Sequence, residues 1–417
     1  MNPVSSPPAD FAALLEPPDD FDARPVVARL VAHADRIGAS DLHLRPNGTA
    51  VEVLARLDGV LARRFDLPLT VYDRILIGLK NMARMASYRK AVPQDGRLLL
   101  DGADVRVATT PTHFGEKVVL RFVRAGSNLH TLDTLGLQPR EEQQLREVVE
   151  QPQGLVLATG PAGSGKTTTL YAIIRHLMSR HRQRLAPMQG ATLNVVTLED
   201  PIECILPEIT QTPIAVEMGM TFASGLRSML RQDPEVLLVG EIRDRETATA
   251  AVQCGLTGHL VLSTLHARNS VGTIPRLREL GVEPYLLGAS LSGAIYQRLL
   301  RRLCASCRRA STDTPAQVAL RRAAGLPEGP CYEAVGCAAC DGTGYQGRSV
   351  VAEVLRADDG LRQLILDGAP MARLEEHAGE SGMQPLDSAA LVRVAQGVTS
   401  WDEVDRTCRP VLRQSFG

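Results

Sequence analysis

The run Gly160-Pro161-Ala162-Gly163-Ser164-Gly165-Lys166-Thr167 constrains this chain more than any other feature. It follows an apolar segment, Gly154 to Thr159, and opens a helical stretch from Thr168 onward. G-x-x-x-x-G-K-T between a strand and a helix is the spacing of a P-loop. Its glycines let the backbone curl so that successive N–H groups converge on phosphate oxygens, and the helix N-terminus adds partial positive charge. Lys166 is then expected to reach the β- and γ-phosphates of a nucleotide, Thr167 to ligate Mg2+ through its hydroxyl, and Thr168 to complete the cradle. Only four residues are lysine (Lys80, Lys90, Lys117 and Lys166) against forty-two arginines, so a lysine inside a motif is not background.

The rest of the chain reads as α/β. Asn194 to Leu198, Val236 to Val239 and Leu260 to Ser263 are short apolar runs separated by helical stretches. That alternation predicts a parallel sheet covered on both faces. Upstream, Val26, Val27, Leu30, Val31 and Ala34 share a helix face, and residues 70–87 read as a second helix. Val51, Val53, Ala55 and Leu57 alternate as in a strand, Asp101-Gly102 marks a hairpin between Leu98–Leu100 and Val105–Ala108, and Val118 to Phe122 is a further strand. The organisation expected is a disordered Pro/Asp/Ala-rich tail over 1–22, a smaller α+β domain over 23–124, a linker over 125–134 and a nucleotide-binding domain over 135–417. The last ends in helices up to one near Ala389 to Ala395.

Composition excludes several functions. A net charge of −1 over 417 residues gives no global field for nucleic acid, and no stripe of aromatic and basic residues stands out. No apolar run approaches the ~18–20 residues of a membrane span, and the Pro-rich, acidic start is not a secretory signal. Any membrane role is peripheral.

Two apolar runs end in acid: Thr197-Leu198-Glu199-Asp200-Pro201-Ile202-Glu203 and Val239-Gly240-Glu241-Ile242-Arg243-Asp244. Parallel sheets place their sites at the carboxyl ends of strands, so Glu199 and Glu241 are expected to face the P-loop. Phosphoryl transfer to water needs one carboxylate for the nucleophile and another for Mg2+ or its waters. His266 closes a third run and is placed to contact a terminal phosphate, whereas His259, at its start, reads as structural. Cys304-x-x-Cys307 and Cys337-x-x-Cys340, twenty-nine residues apart, form the paired spacing of a tetrahedral structural Zn2+ site within a Cys/Gly-rich stretch over 300–350. Cys331 has no assigned role, and Cys204, Cys254 and Cys408 read as small core residues.

In order along the chain, the P-loop, the Glu199 cluster, Leu230-Arg231-Gln232-Asp233-Pro234, the Glu241 strand end and Gly258-His259 through His266 resemble the motifs of the secretion-superfamily traffic ATPases. Gly38-Ala39-Ser40-Asp41-Leu42-His43 and Val92-Pro93-Gln94-Asp95-Gly96-Arg97 are similar to signatures of that family's N-terminal domain. The resemblance implies a RecA-like P-loop NTPase core with a parallel sheet, a preceding PAS-like α+β domain and a four-cysteine zinc-binding insertion. It implies ATP, Mg2+ and Zn2+ as ligands, and a homo-hexameric ring whose domains move on hydrolysis. It further implies that Glu199 activates water, that Glu241 helps place Mg2+ and that His266 belongs to the γ-phosphate environment; which glutamate is the base stays open.

The cysteine stretch resembles the metal-binding insertion of type II secretion and type IV pilus assembly ATPases, which retraction ATPases typically lack. The implied role is to drive pseudopilus or pilus assembly and protein secretion. It implies an inner-membrane platform protein as partner, a cytoplasmic place peripheral to the bacterial inner membrane, and no nucleic acid. A nucleotide-binding regulatory or structural subunit with little turnover is the alternative. It stays open because the family's arginine fingers fall on Ala62 and Gly78, with Arg56, Arg63, Arg64 and Arg74 nearby and Arg227 and Arg231 as other charges. The chain also reads as lacking the extra N-terminal docking domain of many relatives. Arg180 to Gly190 reads as a long Arg-rich loop, either solvated or in contact with acidic lipid or a partner.

Overall fold

The structure is a computed structural model that describes residues 22–100, 102–123, 130–185, 188, 190–327 and 329–415, with side chains through Cys408. The expected tail up to residue 21 and the first part of the linker, up to residue 129, lie outside the described residues. Of the linker's remainder, Leu132–Thr134 is a 3-10 turn with Leu132 buried. The chain divides into two compact units, residues 1–127 and 128–417.

In the first unit Asp22 caps the helix Ala23–Arg36, which buries Val26, Val27, Leu30, Val31 and Ala34. Six strands, β1 (Asp41–Pro46), β2 (Val51–Leu57), β3 (Val60–Leu67), β4 (Gln94–Leu100), β5 (Ala103–Thr112) and β6 (Gly115–Val123), form one sheet in the order β3-β2-β1-β6-β5-β4. Every neighbouring pair is antiparallel. Sequence reasoning missed β1 and β3: β1 alternates only briefly, through Leu42 and Leu44, and β3 carries the adjacent pair Arg63-Arg64 at its middle. The helix expected over 70–87 is Leu69–Met82. It stops early because Arg84 takes a left-handed φ of 57° and the Met85 N–H turns back to the Lys80 carbonyl at 2.8 Å.

That helix packs on its neighbour through Gly78, where a Cβ would lie 2.4 Å from the Ala23 Cβ. No arginine side chain fits there, which explains the failed correspondence at Gly78 in packing terms. Lys80, one of the rare lysines, is buried and ties the helix to β6. Its Nζ donates to both Glu116 carboxylate oxygens at 2.6 and 2.9 Å and to the Arg89 carbonyl at 2.8 Å.

The second unit is built on seven strands: β7 (Gly154–Thr159), β8 (Val195–Glu199), β9 (Thr210–Pro213), β10 (Val236–Val239), β11 (Leu260–Leu265), β12 (Leu291–Leu303) and, after a small antiparallel pair β13 (Arg309–Ser311) and β14 (Cys331–Glu333), β15 (Tyr345–Arg356). Their order is β15-β12-β7-β11-β10-β8-β9. All pairs are parallel except β12–β15, so the expected parallel sheet carries one antiparallel edge. Every residue of β7, β8, β10 and β11 is buried, which is why these strands read as unbroken apolar runs. Leu155, Leu157, Leu237 and Val239 enter one core and Val156, Ala158, Val236 and Leu238 the other.

Three expectations are corrected. Helical structure does not begin at residue 350: Val350 to Leu355 continue β15, buried on both faces and so without a period to mark them. The helix Leu386–Ala395 is not the last; Trp401–Ser415 follows, with the Ser400 Oγ accepting from the Glu403 N–H at its start. Arg180 to Arg184 belong to the helix Lys166–Arg184 rather than to a loop, with Arg180 paired to Glu150 and Arg182 to Glu208. Residues 186, 187 and 189 of that segment lie outside the described residues. No helix among the described residues is long and apolar enough to cross a membrane.

Lys80→Ala is expected to lower the stability of the first unit by about 3–5 kcal/mol, because the Glu116 charge is left buried and unpaired. Lys80→Met with Glu116→Leu is expected to recover most of that loss; denaturant midpoints of the three proteins check it.

Candidate functional site

β7 runs between β11 and β12 and ends at Thr159, opposite Leu265 on one side and Tyr296 on the other. There the chain leaves the sheet through Gly160 (φ 140°), Gly163 (φ 74°) and Gly165 (φ 87°) and enters the helix Lys166–Arg184. Gly160 is required twice over. Its φ disfavours a side chain, and a Cβ would lie 2.5 Å from the Gln297 carbonyl oxygen and 2.7 Å from the Ser164 Oγ. Gln297, buried on β12, also donates its Nε2 to the Ser164 carbonyl at 2.7 Å. No motif marks Gln297, and sequence reasoning missed it. The Ser164 Oγ and the Gln297 Oε1 are buried without a protein hydrogen-bond partner.

Lys166 folds back over this loop. Its Nζ donates to the carbonyls of Gly160 at 2.9 Å and Pro161 at 3.1 Å. Burial lowers its pKa, and the charges of Glu241 and Glu203 oppose that. Thr167 is half-buried and Thr168 exposed on the first helical turn, while Pro161 and Ala162 are exposed on the loop.

β11 fixes the end of β10. Ser263 Oγ donates to the Val239 carbonyl at 2.7 Å, Thr264 Oγ1 to the Gly240 carbonyl at 2.8 Å, and the Ile242 N–H to the Thr264 carbonyl at 2.9 Å. Glu241 leaves this clamp half-buried and pairs with Arg243. Glu199 behaves differently. It is buried, and its carboxylate accepts from Tyr171, from Thr197 Oγ1 at 2.6 Å and from Gln211 Nε2 at 3.1 Å. Burial and the Glu199 carboxylate push the Tyr171 phenol far above its usual value, so it stays a donor. Glu199 is therefore joined to the P-loop helix through Tyr171. The acidic groups acting on Lys166 are Glu241 and Glu203, the second of which sequence reasoning left without a role.

His266 is exposed and follows β11 directly, beside the P-loop: Leu265 faces Thr159, and the Ala267 N–H donates to the Thr159 Oγ1 at 3.0 Å. His259 lies at the other end of β11, its ring 3.2 Å from the Cys254 carbonyl. Of the arginines considered as fingers, Arg56 donates to the Gly59 carbonyl, Arg63 pairs with Asp66 and Glu52, and Arg227 pairs with Glu246.

Cys304, Cys307, Cys337 and Cys340 come together with all four sulfurs within 4.8 Å of one another. Sγ–Sγ distances are 4.0 Å for Cys304–Cys337 and 3.8 Å for Cys307–Cys340 and Cys337–Cys340. A disulfide needs ~2.05 Å, whereas sulfurs ~2.3 Å from one tetrahedral ion lie about 3.8 Å apart. Burial raises the Cys340 thiol, but the N–H groups of Cys337 and Gly344, each 3.2 Å from its sulfur, and the neighbouring thiols of Cys337 and Cys307 bring it down to about 6. The four cysteines are arranged to hold a metal ion. Cys331 stands apart, buried and donating to the Ser311 carbonyl. Cys254 and Cys408 are buried, and Cys204 is half-buried, packed against the edge of the core.

The profile of the family described as "Type II/IV secretion system protein" matches residues 19–406. The type II secretion system protein E of Klebsiella pneumoniae is 42% identical over 414 residues, covering 97% of this chain and 80% of the relative. The type II secretion system ATPase E of Vibrio cholerae is 39% identical over 401 residues, covering 95% and 77%. The type IV pilus assembly ATPase PilB of Thermus thermophilus is 37% identical over 395 residues, covering 93% of this chain and 43% of the relative. Among solved structures, the Legionella pneumophila ATPase DotB superposes with a TM-score of 0.68 at 21% identity, covering 94% of this chain and 97% of DotB. The pilus retraction motor PilT superposes with a TM-score of 0.61 at 23% identity, covering 91% and 96%. The fold is that of these ATPases, and this chain is a member of the type II/IV secretion system protein family of secretion and pilus-assembly ATPases.

Proposed function

We propose that this chain hydrolyses ATP to drive assembly of a pilus or pseudopilus, and with it protein secretion across the cell envelope. The observation that carries the reading is the P-loop at the carboxyl end of β7, with Glu241 acting on Lys166 and the backbone just after His266 bonded to Thr159. The loop from Gly160 to Thr168 holds the phosphates, with Lys166 exchanging its two carbonyl partners for phosphate oxygens. Thr167 and Glu241 hold Mg2+, which neutralises charge on the phosphate oxygens. Glu199, linked to the P-loop helix through Tyr171, and Glu241 are the two carboxylates from which the water-orienting group is drawn, and Glu203 adds negative charge near Lys166. His266 reads the terminal phosphate.

The metal of the four cysteines is Zn2+, because thiolate sulfur at tetrahedral spacing is its preferred ligand set. Its role is structural: it closes the segment between β12 and β15, and all four ligand positions are filled by protein. The working form is a homo-hexamer that acts through an inner-membrane platform protein, from the cytoplasmic side and without nucleic acid. The subunit with little turnover is the second reading. One observation favours it: Gly78 is packed against Ala23, so the first unit carries no arginine at that finger position. ATPase assays with and without the cytoplasmic part of a platform protein separate the two readings; activity that stays at background in both supports the second.

Lys166→Ala is expected to lower ATP turnover by roughly 10²–10³-fold, the effect of deleting one preorganised charge at a reacting centre. Its circular dichroism should stay that of the wild type; unchanged turnover contradicts the site. Elemental analysis of purified protein is expected to give about one zinc per chain, and Cys304→Ser to lose it and to melt at lower temperature, because metal binding is folding free energy.

A further inference from the structure

Glu353 lies on β15, well away from every motif, and is 4% exposed. A carboxylate at such depth is costly unless its oxygens are satisfied. Three donors satisfy this one. Ser270 gives its N–H at 2.6 Å and its hydroxyl at 3.0 Å to Oε1, and Leu386 gives its N–H at 3.2 Å to Oε2. None of the three carries a full charge; burial raises the pKa of the Glu353 carboxyl, the hydrogen bonds from Ser270 and Leu386 oppose that, and Asp387 adds to the rise as a like charge. The Ser270 hydroxyl has one proton and the Met383 sulfur also lies 3.2 Å away, but a carboxyl oxygen is a much stronger acceptor than a thioether sulfur. Leu386 opens the helix Leu386–Ala395, whose N-terminal dipole adds to the hold.

The register shows what this clasp does. Thr159, the last residue of β7, faces Tyr296 on β12, and Tyr296 faces Glu353 on β15. β11 lies on the opposite side of β7. The segment from His266 to Ser270 therefore crosses from the end of β11, past the end of β7 and the middle of β12, to the middle of β15, beside the strand that feeds the P-loop. It is pinned at two points, by the Ala267 N–H on Thr159 and by Ser270 on Glu353. His266 is the residue immediately before the first pin. Side bonds stiffen the far end: Thr273 Oγ1 donates to the Ser270 carbonyl at 2.6 Å, and Asn269 Nδ2 to Glu375 at 2.9 Å.

We propose that Glu353 is a positioning residue for ATP turnover: by holding Ser270 against β15 it fixes the segment that presents His266 to the terminal phosphate. The inference rests on the reading of His266 given above. The P-loop makes no bond to Glu353, so nucleotide affinity, set by the cradle, is independent of the clasp, whereas the step that needs His266 in place is not.

The test compares steady-state kcat and KM for ATP in full-length wild type, Glu353→Gln, Ser270→Ala, His266→Ala and the double variant Glu353→Gln/His266→Ala. In Glu353→Gln the amide carbonyl still accepts from Ser270, but the amide NH2 faces the Leu386 N–H and that half of the clasp is lost. Glu353→Gln is expected to lower kcat about tenfold or more with KM within about twofold, the pattern of a lost interaction that matters only in turnover. Ser270→Ala, which keeps its N–H, is expected to cost about two- to fivefold in kcat. Residues acting through one another are not additive, so the double variant is expected to be within about twofold of His266→Ala. Wild-type kcat in Glu353→Gln overturns the proposal, as do a KM that rises in step with the fall in kcat and losses that multiply in the double variant. Slow His266→Ala with fast Glu353→Gln removes the positioning role alone; wild-type turnover in His266→Ala removes the His266 reading and the proposal together. Should Glu353→Gln not fold, Ser270→Ala alone and combined with His266→Ala decides by the same comparison.

Discussion

The second unit depends on one close approach: the backbone of Gly160 against the Gln297 carbonyl, whose oxygen would lie 2.5 Å from any Cβ and so leaves no room for one. A side chain at residue 160 would push the loop off β12 and lift the start of the helix Lys166–Arg184 with it. The glycine spacing of the P-loop is usually discussed from the ligand's side. Here the same residue is as tightly specified from beneath, by a strand that contributes no recognised motif. Gln297 completes the brace with its bond to the Ser164 carbonyl, so the loop's curvature is imposed by the sheet rather than left to a ligand.

The remaining polar groups hang from that frame by a common device. Hydroxyls inside β11 hold the last carbonyls of β10, a threonine at the end of β7 holds the backbone after His266, and a buried glutamate on β15 holds the same segment further on. The Ser263 and Glu353 bonds are buried, where a lost partner costs more than the bond is worth in water, and the Thr264 and Thr159 bonds are partly so. The site's geometry is thus a consequence of strand order: β10, β11, β7, β12 and β15 are consecutive neighbours, so a group on one strand reaches the loop that leaves another. The cysteine cluster follows the same logic on a smaller scale, with backbone N–H groups of Cys337 and Gly344 orienting one sulfur.

Much of this was legible in the sequence, and what was not has physical reasons. Buried parallel strands are mostly apolar, with polar residues gathered toward their carboxyl ends, so β7, β8, β10 and β11 stood out; the P-loop and the CxxC pairs are spacing codes and need no fold to be read. β15 is equally buried from Val350 to Leu355, but its glutamate breaks the apolar run and it pairs with β12, the neighbour on one side only. β3 was hidden by its Arg63-Arg64 pair and β1 by its brevity, with only Leu42 and Leu44 to mark it. Gln297 and Glu353 were invisible for a different reason: each acts through a partner more than 80 residues away in sequence, Ser164 in one case and Ser270 in the other. Local pattern carries no trace of such pairs. Glu199 and Glu203 show the converse limit. The acidic cluster was easy to find, but which carboxylate is tied up by Tyr171, Thr197 and Gln211 and which acts on Lys166 required the fold.

The central claim is that the loop between β7 and the helix Lys166–Arg184 is built for a triphosphate, with Lys166 parked on its own backbone until one arrives. A structure of the protein with Mg2+ and a non-hydrolysable ATP analogue tests this most directly. The account predicts the analogue's phosphates against the loop from Gly160 to Thr167, with the Lys166 Nζ moved off the Gly160 and Pro161 carbonyls and onto them. A nucleotide bound elsewhere, or a Lys166 that keeps both carbonyl bonds with the analogue in place, would contradict it.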